Sequence, residues 1–274
     1  MEKYSITDYN EELEITINLP ERLIQAMQIF DLFLDLLVQE KPEEMSRFIK
    51  ALENRFTAFI TEEFTDVFQV NSETFTGPLK EHIHLIKLGQ QALLSFLQFQ
   101  KYHGQKNITR LRVAFKDFLR CFHFFNFWLA QTLTTIMPRH EAIEFFKRFI
   151  DYRTPIIEAG NKYQNIELLY ERTKHFLSTG THNATLLKPH DGTMCVKTSR
   201  CMWHEIMEEL KDPELVYVTI CYGDFAAAKC YNEHFVLTRT QTLVQGKLYC
   251  DFCYHDKRID KALTHPSKSF FDAL

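Results

Sequence analysis

Between Cys201 and His255 the chain carries five of its seven cysteines, and with them Asp224, Arg239 and His204. A thiolate is a nucleophile and a metal ligand, a carboxylate can act as a base, and an arginine fork suits a bound carboxylate. Cys221 and Asp224 are three residues apart in an almost wholly apolar stretch, 213–231, that reads as one helix. At that spacing they share a helix face. A carboxylate is costly to bury unless it is paired, so an apolar helix that keeps one is a candidate site. The plain alternative for each is a solvent-edge aspartate and a small core cysteine. On a strand over 248–255, alternation puts Cys250, Phe252 and Tyr254 on one face and Asp251 and Cys253 on the other. Cys250-x-x-Cys253 is then a poor metal knuckle. A zinc ribbon would also need a second Cys-x-x-Cys, which the chain lacks. Arg239 lies among Thr238, Thr240 and Thr242 in a strand expected over 234–243. There it would hold a substrate carboxylate or, more simply, decorate an exposed strand.

Other chemistries are weaker. Glu81 and His84 have the spacing of a di-iron bundle, but no second Glu-x-x-His follows. A redox pair of Cys250 with Cys253 is opposed by their faces. Cys195 and Cys201, six apart on one strand, would be ~20 Å apart. Lys and Arg number 32 against 36 Asp and Glu, a net charge of −4. That balance gives no support to nucleic-acid binding or to a polybasic membrane surface. The most apolar window, 121–137, contains His123, Asn126 and Gln131. It falls short of the ~20 residues a membrane span needs and reads as a buried helix. An odd number of cysteines behind the polar start MEKYSITDYNEELEI points to reduced thiols and a cytoplasmic location.

The supporting elements follow from periodicity. Residues 1–19 read as an irregular or strand-like arm. Helices are expected over 20–39, from Pro42 along an apolar stripe from Met45 to Phe68, and over 78–102, 108–136 and 140–152. The 25 phenylalanines, concentrated before residue 150, fill the core of such a bundle. A helix over 165–177 precedes a hairpin, 184–188 and 193–199, turning at Asp191-Gly192. A short helix over 202–210, the apolar helix over 213–231 and a second hairpin around Gln245-Gly246-Lys247 complete the set. The tail from Lys257 is polar and is expected to pack loosely. The expected class is α+β: an N-terminal helical bundle, then an α+β domain whose small antiparallel sheet comes from two hairpins beside two or more helices. The expected division is 1–120, 121–257 and a tail, 258–274.

The ordered run of Cys201, ICYGD (220–224) and LTRTQTLVQGKLYCDF (237–252) resembles the L-2-amino-thiazoline-4-carboxylic acid hydrolase family. The family's trace is a cysteine at a strand end, a Cys-x-x-Asp helix, an Arg/Thr strand and Gly-x-x-x-Cys-Asp-Phe. Here these are Cys201, Cys221 with Asp224, Arg239 to Thr242, and Gly246 with Cys250, Asp251 and Phe252. The likeness spans about 55 residues, with a weaker one from Phe127. Cys253 stands where the family usually has arginine. The resemblance implies hydrolytic opening of a cyclic amidine at a C–N bond, to a carbamoyl-cysteine. Cys250, Asp224 and Cys221 are its expected catalytic residues, and Arg239, Thr242, Cys201 and His204 its substrate-binding ones. No cofactor is expected; the alternative is a zinc ion on Cys201, Cys221, Asp224 and Cys250. The partner implied is a small molecule, neither nucleic acid nor membrane, with a homodimer through the helical region. A distant kinship with 4-vinyl reductase-like domains implies the other class, a non-catalytic binding or sensory module.

Overall fold

The computed structural model describes residues 2–60, 64, 70–105 and 107–274. The expected stripe through Val67 and Phe68 lies, at those two positions, outside the described residues. In chain order the first elements are β1 (Glu2–Ile6), β2 (Glu14–Ile17), α1 (Leu19–Glu40), α2 (Met45–Phe59), α3 (Ile83–Phe96), β3 (Leu111–Ala114), α4 (Phe115–Ile136) and α5 (Arg139–Ile157). Then follow α6 (Ile166–Leu177), β4 (His182–Lys188), β5 (Thr193–Cys201), α7 (Met202–Met207), α8 (Pro213–Val216), a π-helical turn (Tyr217–Cys221), α9 (Gly223–Tyr231), β6 (Phe235–Thr238), β7 (Cys250–Asp256) and α10 (Lys268–Asp272). The class is α+β, with the helices early and the antiparallel sheet late. Among the described residues no helix is long and apolar enough to cross a membrane.

The chain divides into two compact units, 14–149 and 1–13 with 150–274. In the first, Asn18 caps α1 and Pro20 sits in its first turn, as proline's fixed φ and missing N–H allow. The phenylalanines pack as expected of a bundle core. Phe33 meets Phe149 edge-to-face at 5.1 Å, and Phe56 stacks on Phe125 at 5.4 Å. Asp31 is buried and accepts the backbone N–H groups of Gly77 and Leu79, both at 2.8 Å. The helix expected over 78–102 is shorter, because Gln98 adopts a left-handed conformation just beyond α3. The one expected over 108–136 begins late, because Leu111–Ala114 instead pairs with β2.

The second unit is built on a five-stranded antiparallel sheet of order β1-β4-β5-β7-β6. Both hairpins form, and β5 joins them through β7. The arm before residue 14 supplies the edge strand β1. Gly192 makes the first hairpin turn at φ +74°, where a Cβ would come within 2.7 Å of Ile259. Glycine is required there on both counts. One sheet face packs Leu186, Met194 and Val196 against Ile166, Leu169 and Tyr170 of α6. The other face is closed by the tail. Phe271, wholly buried, packs with Cys195, Tyr249 and Cys253. The tail is therefore not loose. Its apolar Phe271 outweighs the polar composition around it.

Candidate active site

The apolar helix expected over 213–231 is interrupted by the π-helical turn, in which Tyr222 N–H reaches Tyr217 C=O at 2.9 Å. Such turns disturb the regular ladder and are frequent at functional sites. Here Phe225 N–H bonds Tyr222, and the carbonyl of Cys221 accepts instead from Arg239 Nη2 at 2.9 Å. The second hairpin also departs from expectation. Its ladder ends at Thr238 opposite Cys253, so Arg239 stands on a loop and not on a strand. Asp251 turns the chain out: its Oδ1 accepts the N–H groups of Thr240 and Gln241, each at 2.9 Å. His265 and Thr240 bond its Oδ2, His265 at 3.1 Å. Those bonds outweigh burial and hold the Asp251 carboxyl below its ordinary range.

These departures converge on one ion pair. Arg239 Nη1 donates to Asp224 Oδ2 at 2.6 Å, and Nη2 donates to Tyr217 Oη at 3.2 Å. The rings of Phe225 and Phe252 lie 4.9 and 5.0 Å from the guanidinium, within cation–π range. The Arg239 side chain is 1 % exposed and that of Asp224 38 %. Burial pushes the Asp224 carboxyl up, and Arg239 pulls it back only in part. A carboxylate raised in this way is a stronger base than one in water.

Asp224 faces a hollow of two lobes. The first, 270 Å³, is lined by Cys201, His204, Cys221, Asp224 and Cys250, with Trp203, His182 and Phe252 among its other walls. Cys201, Cys221, Asp224 and Cys250 therefore share one lobe. Cys201 ends β5, and Cys250 begins β7. Cys250 Sγ accepts Leu243 N–H at 3.2 Å. Burial nevertheless raises all three thiols. Cys201 goes to about 12 and Cys250 to about 11, the N–H of Leu243 and the charge of Arg239 restraining the latter. Cys221 is pushed well up by burial and then by Asp224.

Two expected substrate contacts are not in the hollow. Arg239 lines neither lobe, and three of its five N–H groups go to Asp224, Tyr217 and the Cys221 carbonyl. Thr242 is wholly buried, and its side chain receives Gln245 N–H at 3.3 Å to cap a short turn over Leu243–Gln245. Glycine at 223 is not needed for close packing: a Cβ there would meet Ile150 at an ordinary 3.7 Å. Among the described residues no three His, Cys, Asp or Glu side chains gather as metal ligands do.

The second lobe, 360 Å³, shares Asp224, His182, Phe176, Tyr231 and Phe252 with the first. None of these walls but Asp224 and Phe252 was singled out from the sequence. They come from α6, β4 and α9, which no local spacing relates. His182 is stacked on Trp203 at 5.2 Å, and burial lowers it to about 4, so it is neutral near pH 7. Behind the sheet, Cys195 and Cys253 lie in register on β5 and β7, their sulfurs 3.1 Å apart. All seven cysteines are free. That facing pair is neither of the two pairings that the sequence opposes on geometric grounds.

The model of the L-2-amino-thiazoline-4-carboxylic acid hydrolase family matches residues 120–254, a span that contains every residue lining the first lobe. No curated protein and no solved structure matches the chain.

Proposed function

Because the model of that hydrolase family matches residues 120–254, we propose that the hollow opens the ring of a small cyclic amidine of the thiazoline type. The single observation that supports this most is the placement of Asp224. It is gripped by Arg239 and faces a lobe that also presents Cys201, Cys221 and Cys250. Asp224 is the base and Cys250 the attacking group. The thiol adds to the carbon between the ring heteroatoms, forming a C–S bond, and its proton passes to Asp224. That proton is returned to the ring heteroatom as its bond to the same carbon breaks. Water, deprotonated by Asp224, then adds to the carbon and releases the Cys250 thiol. The sum is one water consumed and one ring bond opened. Asp224 assistance is essential here, since burial keeps the resting thiol protonated.

Turnover of 2-amino-thiazoline-4-carboxylate by wild-type protein, Cys250→Ala and Asp224→Asn tests this reading. Each variant is expected to lose at least ~100-fold in kcat, the scale of a lost base or nucleophile. Turnover undiminished in Asp224→Asn sinks the assignment. The protonated thiols favour one second reading, a binding module that holds the ring without opening it. Saturable binding with no turnover by the wild-type protein selects that reading.

A further inference from the structure

The hollow offers more room than a thiazoline carboxylate uses, and the excess has a definite chemistry. Every group of the proposed ring opening lies in the 270 Å³ lobe. The second lobe, 360 Å³, begins at the same Asp224 and contains no thiol. Its walls include five aromatic rings, those of Tyr163, Phe176, Tyr231, Phe252 and Tyr254. Tyr163 and Tyr231 meet edge-to-face at 5.4 Å, leaving ring faces and edges for a further aromatic group. Burial raises the phenols of Tyr231 and Tyr254, so both stay neutral near pH 7. Beyond Asp224, its charged side chains are Glu158 and the exposed Arg172. A lobe of this size and lining suits a flat apolar group.

We propose that the substrate is an aryl-substituted cyclic amidine, its ring in the thiol lobe and an aryl group on the exocyclic nitrogen in the aromatic lobe. This rests on the ring-opening reading for the position of the ring, and it adds the substituent. Two stable probes test it, the fully aromatic 2-aminothiazole-4-carboxylate and 2-anilinothiazole-4-carboxylate, titrated calorimetrically into wild-type protein and Thr173→Trp. Thr173 lines the second lobe only, on α6, so tryptophan there fills that space. The anilino probe is expected to bind wild-type protein at least ~30-fold more tightly, the order of a buried phenyl group. Thr173→Trp is expected to reduce that ratio to within about threefold and leave the amino probe unchanged. Equal affinities, no binding of either probe, or a preference that survives filling the lobe would each overturn the proposal. The wild-type comparison decides even if the variant does not fold. Neither titration depends on turnover. Aryl preference without hydrolysis of the parent amidines sinks the ring-opening reading alone, and hydrolysis of the small amidine without aryl preference sinks the aryl assignment alone.

Discussion

Arg239 and Asp224 meet at 2.6 Å, one from the loop after β6 and the other from the first turn of α9. The guanidinium is buried and the carboxylate opens on the hollow. Arg239→Gln therefore removes the partner and leaves the carboxyl where burial already favours its protonated form. The expected cost at pH 7 is about 2 kcal/mol, below the range for a fully buried pair because Asp224 is partly exposed. The folded state holds the Asp224 proton more tightly than the unfolded chain does, so its stabilising contribution is present at low pH. It is lost as pH rises through the folded value, and removing Arg239 enlarges that loss. Denaturant titrations should show the variant's deficit shrinking from pH 7 towards pH 4. The acid limb of any ring-opening activity should move to higher pH. An identical deficit at both pH values would rule out this coupling.

Asp251 shapes the site without facing it. It accepts two backbone N–H groups from the loop that carries Arg239, and His265 holds its other oxygen. Asp251→Asn keeps the shape but replaces one acceptor oxygen with a donor, against hydrogen bonds that all point inward. The expected loss is roughly 2–3 kcal/mol, as for buried bonds to a charged group. The Asp251 carboxyl sits below its ordinary range, so its contribution is present above about pH 4 and disappears as pH falls through the folded value. Proteolysis should cut the variant first within 239–249 while the wild-type loop resists. Unchanged cleavage there would separate this network from the loop.

Legibility from the sequence followed the range of the contacts. Helix starts at Asn18 and Asn165 and the turn at Gly192 are local decisions, and their residue types announce them. Cys201, Cys221, Asp224 and Cys250 could be grouped because the family trace orders them near element ends. Arg239 falls on a strand by periodicity alone, whereas the backbone leaves the ladder after Thr238 and bonds to the side chain of Asp251, a residue distant in sequence. The π-helical turn left no mark in an apolar stretch that reads as continuous helix. β1 at the sheet edge, the aromatic lobe and the facing Cys195 and Cys253 depend on pairings across long separations. Neither hairpin turn determines the register between β5 and β7.

The thiols offer a pH-resolved test of the hollow. Burial holds Cys250 up at about 11 and Cys201 at about 12. Alkylation by iodoacetamide, followed residue by residue by peptide mass spectrometry, should be slow at pH 7.5. It should rise about tenfold per pH unit at Cys250, as expected while the thiolate fraction is small. Bound 2-aminothiazole-4-carboxylate should slow it. Cys195 and Cys253 should stay unmodified in folded protein, because both are wholly buried. Rapid labelling of Cys250 at neutral pH would mean a resting thiolate and would remove the need for Asp224 as its base.

Phe271 ties the tail to the sheet from behind. Its ring stacks near His265 at 5.4 Å and Tyr249 at 6.2 Å, and it belongs to the cluster that covers Cys195 and Cys253. His265 in turn holds Asp251, and Tyr249 precedes Cys250. Phe271→Ala should cost about 3–5 kcal/mol, the usual range for a large side chain removed from a packed core. Part of the loss should be local. Cys253 should become open to alkylation under conditions where Cys121, buried in the helical unit, does not. Phe271→Leu, which refills most of the space, should restore protection of Cys253 and most of the stability. If Phe271→Ala left both stability and Cys253 protection at wild-type levels, the tail would be an ornament on the sheet, and the route from Phe271 through His265 to Asp251 would carry no force.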